Sequence, residues 1–118
     1  MKPTIRDLKA YVPAKDFEVS KRFYRALGFN HSDGWGGTAD FELNGSRFRL
    51  QNYFVPDWAN NFMMVMGVDD VDAWHRLASD VAREPDFSAV RVAANEHVGD
   101  SRVLHVHDPS GVLLIFVQ

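Results

Sequence analysis

Cysteine is absent from this chain. Disulfides, thiolate metal ligands and a cysteine nucleophile are therefore excluded. No apolar run is long enough to cross a bilayer, so no membrane partner is expected. The opening segment, Met1 to Tyr11, has no apolar stretch like that of a signal peptide, and the expected location is cytoplasmic. Positive charge is not in excess: 13 Lys and Arg meet 16 Asp and Glu, for a net charge of −3. That balance argues against nucleic acid, whose phosphates need clustered Lys and Arg. Two catalytic patterns are also missing. Gly34-Trp35-Gly36-Gly37 is glycine-rich but lacks the Lys-Ser/Thr ending and strand-to-helix setting of a phosphate loop. No serine stands in a nucleophile-elbow context.

What is present is an internal rhyme. Val12 to Phe29 precedes a strand pair hinged on Asn44-Gly45, and Val68 to Ser79 precedes one hinged on Asp108 to Gly111. Each half offers a strand, an acidic helix start, an amphipathic helix and extended segments. Such a repeat suggests a duplicated module whose copies share one core. The 118 residues suit a single domain, large enough to bury a core without covalent staples. Module one covers about residues 1–52, a connector 53–61, and module two about 62–118.

Ile5 to Val12 alternates roughly between apolar and polar residues and is expected as a strand ending at Pro13. Asp16 is an expected helix N-cap, with Val19, Phe23 and Leu27 at helical spacing and Gly28 closing the helix. Phe29 to Ser32 is an expected short strand. Ala39–Leu43 and Ser46–Gln51 form an expected hairpin, since Asn-Gly suits a type I′ turn. Phe62 to Val68 is continuously apolar and is expected as a strand buried on both faces. Asp69 or Asp70 caps a second helix with apolar positions Val71, Trp74, Leu77 and Val81. Strands are expected at Ser88–Ala93, Arg102–His107 and Val112–Val117, with a polar loop over Ala94–Ser101. The order is β-α-β-β-β, twice. The class is α+β, with helices on the outer face and a mixed sheet curling into a cup.

The phrase from Asp16 to Phe29, with Phe23-Tyr24 and Leu27-Gly28-Phe29, and the phrase Asp108-Pro109-x-Gly111 resemble the vicinal-oxygen-chelate superfamily. Glyoxalase I, extradiol dioxygenases and the fosfomycin- and bleomycin-resistance proteins belong to it. The Val12-Pro13-Ala14 entry to the helix is most similar to the bleomycin-resistance branch. The resemblance implies paired βαβββ modules in a homodimer, with sites lined by both modules. It also implies where a metal would sit, because metal-dependent members take His and Glu ligands from the first and last strands of each module. Those positions fall here on Asp7, Arg49, Met63 and Ile115. Of these only Asp7 could ligate a divalent cation. The expectation is no metal and no other cofactor. A rearranged site is the alternative: His105 and His107, two apart on a strand, point to one face, and Glu96 and His97 stand in the loop before them.

In the hairpin, Asp40 lies opposite Arg49 and Glu42 opposite Arg47, read as two cross-strand ion pairs. The competing reading makes this face a polar wall of the cup, with Arg49 available to an anionic ligand. Trp35 in its glycine-rich loop and Tyr53, Phe54 and Trp58 in the connector are candidates to clamp a planar ligand, or else to pack a core or dimer interface. His31 and His75 are read as exposed, without a role. The ligand-binding candidates are thus Trp35, Arg49, Tyr53, Phe54, Trp58, His105 and His107. The expected function is a metal-free, non-enzymatic protein of the bleomycin-resistance type that sequesters an aromatic or heterocyclic small molecule in a dimer groove. The alternative is a glyoxalase-like or dioxygenase-like enzyme, a lyase, isomerase or ring-cleaving catalyst, with divalent metal around His105 and His107. A third possibility is a protein-partner role for the aromatic connector.

Overall fold

The first helix starts where the sequence supplies a cap. In the computed structural model, which describes residues 1–118, Asp16 accepts a hydrogen bond from Val19 N, and α1 runs Phe17–Ala26. Ser20, Phe23 and Tyr24 form its buried stripe. Gly28 ends it with φ 105°, while its N–H bonds Arg25 O and the Phe29 N–H bonds Tyr24 O. That pair of hydrogen bonds is the left-handed helix stop glycine makes cheap. Gly28→Ala is expected to cost at least about 1 kcal/mol, because a Cβ disfavours this φ. The urea unfolding midpoint should fall with an unchanged slope; an unchanged midpoint would count against the conformational argument.

Module one contains β1 (Tyr11–Pro13), α1, β2 (Asn30–Asp33), β3 (Ala39–Leu43) and β4 (Ser46–Gln51). Its sheet has the order β1-β4-β3-β2, with β1 parallel to β4. The hairpin forms over the expected residues, with Asn44 at φ 52° and Gly45 at φ 86°. The first strand is shorter than the expected Ile5–Val12. Tyr11 pairs with Arg49 in parallel register, so residues upstream of Lys9 reach the Asn44-Gly45 turn and run out of partner strand. Ile5 and Leu8 are each 81% exposed.

The connector over residues 53–61 contains α2 (Pro56–Asn61), with Pro56 in its first turn and Ala59 buried. Module two contains β5 (Met63–Gly67), α3 (Val71–Val81), β6 (Arg91–Val92), β7 (Glu96–Val98), β8 (Ser101–His107) and β9 (Leu113–Val117). Asp70, rather than Asp69, caps α3 by accepting from Ala73 N. Leu77 points outward, and Ala78 takes the buried position with Val71 and Val81. The expected strand over Ser88–Ala93 is cut to two residues, because Pro85–Phe87 coils into a short turn that buries Phe87. Part of the expected polar loop is instead β7. Both β6 and β7 pair with β8, so they act as one interrupted strand.

Helices cover one face of each sheet. A single core of buried residues runs through both modules, from Val12 and Phe41 to Leu104 and Phe116. Each large side chain fully buried there contributes about 1.5–3 kcal/mol. Phe23 meets Phe87 edge to face at 5.6 Å across the modules, and Trp74 stacks on Phe116 at 4.8 Å. His31 is not the exposed residue expected, since it stacks on Phe41 at 5.2 Å. The reason is strand alternation: His31 is opposite Phe41, on the helix-covered side.

A polar joint also ties the modules. Asp108, fully buried, accepts from Tyr24 Oη at 2.6 Å, Ser110 N at 2.8 Å and Val112 N at 3.0 Å. The Ser110 hydroxyl accepts from Lys15 N at 2.9 Å and lies 3.3 Å from the Ser20 hydroxyl. Burial raises the Asp108 pKa to about 6, against the pull of Tyr24 and the backbone donors. Burial also raises Tyr24 well above its ordinary value, with the Asp108 charge adding to it.

Candidate functional site

The two sheets expose faces of opposite character. On module one, alternation brings Tyr11, Asp40, Glu42, Arg47 and Arg49 to the face away from the helices. Arg49 donates to both Asp40 oxygens, at 2.7 and 3.0 Å, and its guanidinium lies 5.7 Å from the Tyr11 ring centre. The pairing lowers the Asp40 pKa and holds Arg49 firmly protonated. Arg49 is therefore engaged on both sides, which departs from a guanidinium left open to an anion. The second expected pair does not form. Arg47 donates to Asp7 at 3.3 Å, and Glu42 instead accepts from Gly45 N and Asn30. The turn explains this: Glu42 reaches the free N–H of the hairpin loop at 3.0 Å, a local alternative to Arg47.

On module two the open face is apolar. Met63, Val65 and Gly67 of β5 stand beside Leu113, Ile115 and Val117 of β9. Met63 is 61% and Val65 71% exposed, so the expected burial of this strand on both faces is wrong. Nothing else in the chain covers that face, and β5 pairs only with β9. His105 and His107 lie on the same face, opposite Ile115 and Leu113, with Val103 the next residue along it.

The residues at the metal positions of the resembled superfamily do not form a donor set. Asp7 is held by Lys9 and Arg47, which lower its pKa. Arg49 carries positive charge, and Met63 and Ile115 offer no oxygen or nitrogen. Around the alternative pair, Glu96 shares the rung of Val103, and His97 pairs with Arg102 on the opposite side of the strand. No three His, Asp or Glu side chains converge there or elsewhere. One chain therefore does not by itself assemble three protein donors for a divalent ion at these positions.

The aromatic candidates separate. Trp35 is 78% exposed in the β2–β3 turn, and Tyr53 is 57% exposed just after β4. Because Ala39 pairs with Leu50, both lie at the same end of the module-one sheet. Phe54 is half-buried with Lys15 Nζ 5.9 Å from its ring centre, and Trp58 is half-buried against Phe62 at 6.0 Å. These two pack locally. His105 and His107 belong to the other sheet, so one chain does not assemble all the candidates.

A cleft of about 660 Å³ between the modules went unread in the sequence. Phe48, Leu43, Met64, Met66 and Trp74 line it, and Asp69 and Asp70 stand beside it. None of Trp35, Arg49, Tyr53, Phe54, Trp58, His105 or His107 does. No local signal announces it, because its walls come from the module-one hairpin on one side and β5 and α3 on the other, segments far apart in the chain. No helix is long and apolar enough to cross a membrane.

No protein-family model matches the chain, and no curated protein matches it. Solved structures do. A bleomycin resistance determinant encoded on the transposon Tn5 is 23% identical, with TM-score 0.77 over 97% of this chain and 98% of that one. The bleomycin-binding protein of Streptomyces verticillus, complexed with copper(II)-bleomycin, is 23% identical, with TM-score 0.72 over 96% and 97%. A lactoylglutathione lyase from Agrobacterium tumefaciens is 16% identical, with TM-score 0.68 over 98% and 94%. This chain shares the fold of those structures, two βαβββ modules of α+β class.

Proposed function

We propose that this chain is a small-molecule binding protein that works without a metal, as a homodimer. The uncovered apolar face of module two carries the reading. Val65 is 71% and Met63 61% exposed there, beside a strand edge with no partner. Exposed strips of that kind mark surfaces that meet something. In the proposed dimer, a module-one face from one copy stands across from a module-two face of the other. Each groove then has a polar wall with Trp35, Arg49 and Tyr53 and an apolar wall with His105 and His107. A flat aromatic or heterocyclic ligand suits that pair of walls, by stacking on one side and apolar contact on the other. Sequestration needs binding and no stabilised transition state, so Met63, Ile115 and Arg49 at the superfamily's metal positions do not impair it. Proteins of this fold that bind bleomycin support the reading.

The competing enzyme reading rests on His105 and His107 sharing one face. Elemental mass spectrometry on protein purified without chelators separates the two. The expected result is far below one metal per chain after soaking with zinc, nickel, iron or manganese and desalting. Near-stoichiometric metal that disappears in His105→Ala and His107→Ala would put the enzyme first.

A further inference from the structure

The backbone of the Trp35 turn rests on an ion pair. Gly34 N donates to Thr38 O at 2.9 Å, and the Thr38 hydroxyl donates to Trp35 O at 2.6 Å. Gly36 and Gly37, at φ 66° and 79°, complete the turn. Gly34 sits so close to the sheet that a Cβ there would overlap the Thr38 hydroxyl. It would also come within 2.9 Å of Asp40 Oδ1 and 3.3 Å of Arg49 Nε. Asp40 and Arg49 thus form the floor on which the turn is seated, while the Trp35 side chain stays 78% exposed. The floor is rigid, because a bidentate fork fixes both side chains and Tyr11 packs by the guanidinium.

We propose that the Asp40–Arg49 pair is a positioning clamp that holds the 34–38 turn, and with it Trp35, at the end of the module-one open face. Arg49 then serves the ligand through Trp35 and does not receive an anion itself. The wall selects by stacking on a flat ring. This second part rests on the small-molecule reading above; the clamp itself does not. The charges facing Asp40 are Arg49, Lys9 and Asp7. Its carboxylate stays ionised to below the ordinary carboxylate range, so the clamp is closed at neutral pH.

The test uses whole protein labelled with 5-fluorotryptophan, the Trp35 fluorine signal being assigned by Trp35→Phe. Asp40→Asn and Arg49→Lys are each expected to narrow and shift the Trp35 signal while those of Trp58 and Trp74 stay in place; Arg47→Lys is the control that leaves all three unchanged. Lowering the pH should mobilise Trp35 in the parent protein as Asp40 takes its proton. In Asp40→Asn the signal should be mobile already at pH 7 and show no such step. A Trp35 signal identical in the parent, Asp40→Asn and Arg49→Lys would overturn the clamp. If the variants unfold, the parent's acid step still decides, read beside the Trp74 signal as a reporter of global unfolding. For selection, the probes are phenazine and phenazine-1-carboxylate, one flat ring system without and with an anion. Phenazine binding at least as tightly supports stacking. A carboxylate preference of about tenfold that Arg49→Met abolishes would overturn it, since that is the signature of a direct anion contact. Binding of neither probe would count against the small-molecule reading and leave the clamp to the fluorine signal.

Discussion

Asp108→Ala is expected to remove about 3–5 kcal/mol of stability, because it strands three buried donors at once. The Tyr24 hydroxyl and the Ser110 and Val112 N–H groups all end on that one carboxyl group. They lie where α1 of module one meets the turn between β8 and β9, so the loss falls on the joint between the modules. A drop of about 12–20 °C in the thermal midpoint follows for a domain of this size. Asp108→Asn should cost far less, since its amide oxygen keeps both backbone donors and its NH₂ faces the Tyr24 oxygen. The asparagine also imitates the protonated acid, which gives a pH test. The folded-state pKa of Asp108 is raised to about 6 from an ordinary 3.8. The folded protein therefore holds this proton more tightly than the unfolded chain. The stabilisation is fully present below about pH 4 and lost as pH rises through 6, a change of about 3 kcal/mol in magnitude. Asp7, Asp40, Glu42 and Asp72 act oppositely, as their lowered pKa values withdraw stability in acid. The contribution of Asp108 is thus the difference between parent and Asp108→Asn, measured by urea unfolding from pH 4 to 7. The parent should lose ground to the variant across that range. Parallel curves would show that Asp108 titrates alike folded and unfolded.

The second large effect concerns association. Val65→Asp is expected to convert a dimer into a folded monomer. Val65 is 71% exposed in the single chain, so its replacement should move monomer stability by no more than about 0.5 kcal/mol. In the proposed dimer it lies in the apolar wall beside the free edge of β5. An unpaired carboxylate buried there costs a few kcal/mol, and two-fold symmetry imposes that cost twice, so dissociation should rise by at least about a thousandfold. Sedimentation equilibrium of parent and variant reads this directly, with circular dichroism reporting the fold. A parent that is monomeric at high concentration, or a variant that dimerises as well as the parent, would remove the dimer from the functional reading. Ligand affinity should fall with the dimer, because each groove takes one wall from each copy.

Local pattern was enough for those elements that local chemistry dictates. Asp16 and Asp70 cap helices because short acidic side chains reach a free N–H three residues on. Asn44-Gly45 sets the hairpin register because few other residues accept φ above zero at both positions. The phrases around Tyr24 and Asp108 pointed to the right fold, yet their direct bond, 84 residues apart, was visible only once the chain had closed. The aspartate of Asp108-Pro109-x-Gly111 is also the acceptor for its own turn.

The remaining decisions belonged to tertiary structure. The first strand is missing Ile5 to Ala10, and the residues upstream of Lys9 have no partner because β4 begins only after the Asn44-Gly45 turn, a fact about the neighbouring strand. His31 turned inward because it is opposite Phe41, and the fourfold charge pattern on the hairpin yielded only one cross-strand ion pair because Glu42 found a backbone donor nearer. The candidate site shows the same division. Alternation alone put Arg49 on one open face and His105 and His107 on another, since side-chain direction along a strand has a period of two. Whether Arg49 is free, which aromatics are exposed and where a cleft lies depend on contacts between segments far apart in the chain. Period and capping act over three or four residues and are written locally; a contact partner is chosen by the whole fold.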